Sequence, residues 1–67
     1  MTYKEWAGQY YRSAERIRRQ IDELKQEMKT AVGETMQELC GRMNMLNAMY
    51  RDCITIADML VVRSGEI

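Results

Sequence analysis

Two apolar stripes of heptad period run along this sequence, and they are out of phase with each other. In the first, Ala7, Ala14, Ile21 and Met28 occupy position a, and Tyr3, Tyr10, Ile17, Leu24 and Ala31 occupy position d. In the second, Met36, Met43, Tyr50 and Ala57 occupy a, and Val32, Leu39, Leu46, Cys53 and Leu60 occupy d. An apolar residue every three or four positions is what a helix needs to seat one side on another helix. Continuing the first stripe would place the polar Thr35 and Glu38 on the apolar seam, so the chain is interrupted between Ala31 and Met36. Gly33 stands in that gap, where a left-handed residue would end a helix.

Helix starts are marked as well. Thr2-Tyr3-Lys4-Glu5 and Thr35-Met36-Gln37-Glu38 both have the capping-box pattern, in which a hydroxyl and a carboxylate three residues on satisfy each other's backbone amides. The expected fold is therefore all-α: an antiparallel two-helix hairpin, coiled-coil-like, forming a single domain over residues 1–67. Helix 1 is expected over about 3–32, a turn over about 33–35, helix 2 over about 36–62, and a short C-terminal tail over 63–67. One unbroken helix of about 60 residues with a one-residue skip is the alternative. Folding the chain at Gly33-Glu34 sets Met28 against Leu39, Ile21 against Leu46, Tyr10 against Ala57 and Ala7 against Leu60. Every a residue then meets a d residue, the layering of left-handed antiparallel packing.

The apolar residues exceed what one seam can use. Trp6 and Tyr11 flank the stripe of helix 1, whereas Ser13, Arg18, Gln20, Lys25 and Glu27 make its remaining flanks polar. On helix 2 the flanks include Cys40, Met49, Ile54, Ile56 and Val61, with Met45 and Met59 beside them. A wide apolar face calls for a partner. A second copy of the chain, packed helix 2 against helix 2 into a four-helix bundle of twofold symmetry, is the simplest one. The expected interface residues are Trp6, Tyr11, Met49, Ile54, Ile56 and Val61. A heterologous protein bound through helix 2 is the competing reading, and the methionines suit adaptable contacts.

Composition removes most chemistry. The 67 residues include no histidine and no proline, with two cysteines and ten basic residues against ten acidic ones. Without histidine there is no histidine-based triad and no histidine-ligated metal. Two cysteines do not complete a structural zinc site. Glu23, Glu27, Glu34 and Glu38 lie near the turn but lack the Glu-x-x-His partner of di-iron bundles. The four glycines are isolated, so no phosphate-cradling loop is present, and no nucleophile has an adjacent base. No enzyme activity, cofactor or metal is expected.

The balanced charge is unevenly spread. Residues 2–19 carry five basic and two acidic side chains, and residues 20–38 carry two basic and five acidic. Arg12, Arg16 and Arg19 share one helix face by their spacing, which offers nucleic-acid contact as a further alternative to a solvated face with internal ion pairs, since such a stripe can track phosphates. Cys40 and Cys53 lie about 20 Å apart along one helix, too far to bond to each other. They read as free thiols filling small core sites in a reducing, cytoplasmic compartment. The longest apolar run, Met59-Leu60-Val61-Val62, is far short of a membrane span, and Thr2 to Gln20 is too polar for a signal peptide.

The pattern Tyr10-Tyr11-x-x-Ala14-x-x-Ile17-x-x-x-Ile21-x-x-Leu24, followed by Leu46-x-x-x-Tyr50-x-x-Cys53, resembles small helical-hairpin proteins of prophages and mobile elements in Gram-positive bacteria. It is most similar to the N-terminal hairpins of phage sigma-like and autolysin-regulator-like families. The resemblance implies a helical hairpin working in a bacterial or phage assembly. Those regulators carry a helix-turn-helix after the hairpin, and the sequence through Ile67 holds none, so no DNA-reading residue carries over.

Overall fold

A computed structural model describes residues 2–65, and within them the chain forms two packed helices, α1 (Tyr3–Met28) and α2 (Gly33–Gly65). The single unbroken helix is thereby excluded. α1 begins as its sequence dictates. The Glu5 amide donates to Thr2 Oγ1 at 3.1 Å, and the Thr2 amide donates to Glu5 Oε2 at 3.4 Å. The Trp6 amide then opens the backbone ladder on the Thr2 carbonyl at 3.0 Å.

The turn sits earlier than the expected 33–35. α1 stops at Met28, four residues short of the expected end, and residues 29–32 make the connection. The Lys29 and Thr30 amides donate to the carbonyls of Gln26 and Glu27, three residues back, at 3.3 Å each. The Thr30 hydroxyl reaches the Glu27 carbonyl at 3.5 Å. This tightening satisfies the last carbonyls of α1 and closes the helix. The heptad stripe could not show this stop, because Ala31 keeps the apolar spacing after the hydrogen-bond ladder has ended.

Gly33 does adopt the left-handed backbone, with φ at 62°, but it opens α2 rather than closing α1. Thr35 consequently lies inside α2, and the second capping box is not used as a start. Glu34 supplies a negative charge to the first turn of α2, where the helix dipole favours it. At the other end α2 runs to Gly65, so residues 63–65 of the expected tail are helical, while 66 and 67 lie outside the described residues.

The core is one seam thick. Its buried side chains are Ala7, Ala14, Ile17, Ile21 and Leu24 from α1, with Leu39, Ala57 and Leu60 from α2. Tyr10, Met28, Met36, Met43, Leu46, Tyr50 and Cys53 complete it half-buried. Of the eighteen seam positions only Tyr3 and Val32, at the extremities of their stripes, are exposed. Away from the turn, Ala7, Ala57 and Leu60 form one buried cluster, with Tyr10 packed against it. Alanine at those sites lets the helices approach closely, and the Tyr10 ring fills the space beside Ala57.

The same register sets Met28 level with Leu39, so the first turn and a half of α2 extends past the end of α1. The molecule is a rod of 53 × 14 × 14 Å with a radius of gyration of 15.4 Å. A globular domain of this length would have a radius of about 11 Å.

Two glycines separate backbone need from helix propensity. A Cβ at Gly33 or at Gly41 would meet no atom within 4 Å, but only Gly33 has a positive φ. Gly33→Ala is expected to destabilise the protein by about 1 kcal/mol. Gly41→Ala, in mid-helix, is expected to stabilise it by about 0.5–1 kcal/mol. Urea unfolding followed by circular dichroism checks both, and shifts of the same sign would refute the distinction.

Candidate interaction surface

The relative placement of the two helices sorts the side chains flanking the seam into two separate sides. On one side, Gln20, Glu23 and Glu27 of α1 line a groove with Arg42 and Met45 of α2. On the other, Arg18, Asp22 and Lys25 of α1 line a groove with Asn47 of α2. Helical spacing extends these assignments along the rod. Trp6, Met45, Met49, Ile56 and Met59 belong to the first side. Tyr11, Ile54 and Val61 belong to the second.

The six expected interface residues therefore do not form one patch. Trp6, Met49 and Ile56 fall on the first side, and Tyr11, Ile54 and Val61 on the second. Ile54 is half-buried and the other five are exposed. The first side is the more apolar because Met45 and Met59 join it, at 63% and 53% exposure. Along α2 its stripe reads Arg42, Met45, Met49, Asp52, Ile56, Met59 and Arg63, at alternating spacings of three and four. Four large apolar side chains are thus ranged over about 21 Å of helix, with a cation at each end and an anion in the middle. α1 contributes Trp6 at one end and only polar residues beyond it.

Met45 and Met59 were legible as apolar neighbours in the sequence. Their grouping with Met49 and Ile56, apart from Ile54 and Val61, follows once it is known which α1 residues share each groove. Cys40 also departs from expectation. Both cysteines are free, but only Cys53 lies in the seam, half-buried, whereas Cys40 is exposed on α2 and fills no core site.

The second side carries an interhelical hydrogen bond. The Tyr11 hydroxyl donates to Asp58 Oδ1 at 2.6 Å, joining residues 47 positions apart in the chain. Accepting that bond, Asp58 holds the Tyr11 phenol above its ordinary value of 10.0, and desolvation and the carboxylate charge act in the same direction. Tyr11 is thus engaged with the partner helix of its own hairpin.

Arg12, Arg16 and Arg19 are all exposed on the outer surface of α1. The Arg12 guanidinium runs back along the helix, with Nη1 3.9 Å from where a Cβ on Gly8 would stand. No group of three or more histidine, cysteine, aspartate or glutamate side chains among the described residues could hold a metal ion. No helix among them is long and apolar enough to cross a membrane.

The chain matches no family model, no curated protein and no solved structure.

The Tyr11–Asp58 bond has a directional pH signature. A phenol whose folded-state pKa is raised contributes stability that is complete below its unfolded value and is lost as pH rises through the folded value. Raising the pH from neutral to above about 10 is therefore expected to lower the melting temperature of the native sequence more than that of Tyr11→Phe. Parallel thermal melts across that range check it, and equal losses in both proteins would exclude a stabilising role for the bond.

Proposed function

We propose that this protein is a non-enzymatic interaction module that associates with a second copy of itself through α2. In this reading two hairpins form a four-helix bundle of twofold symmetry. The carrying observation is the stripe of Met45, Met49, Ile56 and Met59, each left 38–63% exposed by the hairpin.

Area supports the reading. The hairpin exposes 5383 Å², whereas a compact protein of its 7.9 kDa exposes about 4,400 Å². The excess, about 1,000 Å², is comparable with the roughly 800 Å² that each partner loses in a standard protein interface. Charge supports it too, because a neutral chain offers no net repulsion between copies. The resemblance of the seam pattern to phage and mobile-element hairpins supports a setting in a bacterial or phage cytoplasmic assembly.

Sedimentation velocity tests the proposal directly. At micromolar concentration the native chain is expected to sediment at twice its 7.9 kDa mass, and Met49→Glu or Ile56→Glu is expected to shift it toward a single copy with most of its helix retained. A charge set into an apolar contact of this kind typically costs several kcal/mol, enough to weaken association by about a hundredfold or more. A native chain that is folded and monomeric under these conditions would overturn the proposal and favour a partner of different sequence.

A further inference from the structure

The stripe that carries the proposed self-association, extended to the first turns of α2, holds four charges, Glu38, Arg42, Asp52 and Arg63, and their order favours one geometry. We infer that the two copies pack with their α2 helices antiparallel and with Asp52 of each facing Arg42 of the partner subunit. This rests on the self-association reading and specifies its partner contact.

The stripe consists of two interleaved sets. Thr35, Arg42, Met49, Ile56 and Arg63 recur every seven residues, and so do Glu38, Met45, Asp52 and Met59. In antiparallel packing of this type, residues of one set meet residues of the other in layers. The hairpin's own seam follows that rule, with Ala7, Ala57 and Leu60 in one buried cluster and Tyr10 packed against it. Allowed registers therefore differ by whole steps of seven residues.

In the inferred register Met45 faces Met49 of the partner subunit, and Arg42 faces Asp52 of the partner subunit. Both layers occur twice by symmetry, so a methionine centre is closed at each end by an ion pair. Nearly the full length of α2 overlaps its copy. Met59 then lies over Thr35 of the partner subunit, and Ile56 lies against Glu38 of the partner subunit, whose carboxylate, exposed in the single hairpin and near the edge of the overlap, keeps access to water.

The other registers leave Asp52 in worse company. One step along, Met45 would meet Ile56 of the partner subunit and Glu38 would meet Arg63 of the partner subunit, but Asp52 would lie at the centre of the overlap, covered by Met49 of the partner subunit without a cation in its layer. Burying an unpaired carboxylate at the centre of the contact costs more than a better apolar match and an ion pair at its exposed edge return. A further step sets Asp52 against Ile56 of the partner subunit. The register that pairs Asp52 with Arg63 of the partner subunit overlaps only the C-terminal half of α2, leaving Met45 and Met49 in water. Parallel packing stacks Arg42 on Arg42 and Asp52 on Asp52, which like charges oppose. Both Arg42 and Asp52 are exposed in the single hairpin, so either is available to a second copy.

A charge exchange tests the pairing. Asp52→Arg and Arg42→Asp are each expected to weaken self-association by about tenfold or more. The double variant Asp52→Arg/Arg42→Asp is expected to recover to within a few fold of the native chain. Sedimentation equilibrium gives the association constants, and circular dichroism confirms that each variant keeps its helix. A double variant no tighter than the singles would overturn the inference, as would recovery of Asp52→Arg by Arg63→Asp instead. A native chain that dimerises while the exchange fails removes the register alone. A monomeric native chain removes the self-association reading with it.

Discussion

A helix packed against a single neighbour touches it along one stripe, and that limit governs this molecule. α1 and α2 satisfy it with eight buried side chains, three of them alanine. The alanines bring the helices close but contribute little buried area themselves. The larger aliphatic side chains Ile17, Ile21, Leu24, Leu39 and Leu60 supply most of the burial, each worth about 1.5–3 kcal/mol when fully withdrawn from water. Any further apolar residue on either helix must remain in water or meet another molecule. α1 respects this constraint, since beyond the seam it is polar except near its N-terminus. α2 does not, and its surplus is what distinguishes the protein from a plain hairpin.

The seam was legible because it needs only spacing. Two independently assigned heptad stripes predicted which residues would be buried, and the Ala7, Ala57 and Leu60 cluster with Tyr10 beside it joins residues that the two stripes set together. The end of α1 was not legible, because Ala31 prolongs the apolar rhythm beyond the point where the Lys29 and Thr30 amides turn to carbonyls three residues back. Periodicity reports which side of a helix is apolar, not where its hydrogen bonds stop. Gly33 shows the same limit. Its freedom to take a positive φ was readable from its identity, but its place before α2 depends on how the preceding four residues cross between the helices.

The division of the flanking residues was hidden for a related reason. Ile54 and Ile56 look alike in sequence, two positions apart on an apolar helix. They point to opposite sides of the seam, and the side of each matters only after α1 is in place. One side then carries polar and acidic residues of α1 beside Met45, and the other carries the Tyr11–Asp58 bond. The hydrogen bond commits Tyr11 to the hairpin, whereas no comparable internal bond ties Met45, Met49, Ile56 or Met59. Partition between internal and external use is thus set by polar partners as much as by apolar area.

For the proposed dimer, coupling between folding and association follows from this partition. A hairpin whose core is a single seam has little stability to spare, because most of its two helices stays exposed to solvent on the outer faces. A second copy that covers the methionine stripe binds the folded hairpin and not the unfolded chain, so it adds stability in proportion to the logarithm of its concentration. The same residues would then decide both whether the chain is folded and whether it is paired. A charge in the middle of such a stripe weakens both unless the partner supplies its counterion, so in the inferred dimer Asp52 would restrict the arrangement more than any of the four apolar side chains around it. The apolar residues make contact favourable in several registers, and the carboxylate discriminates among them.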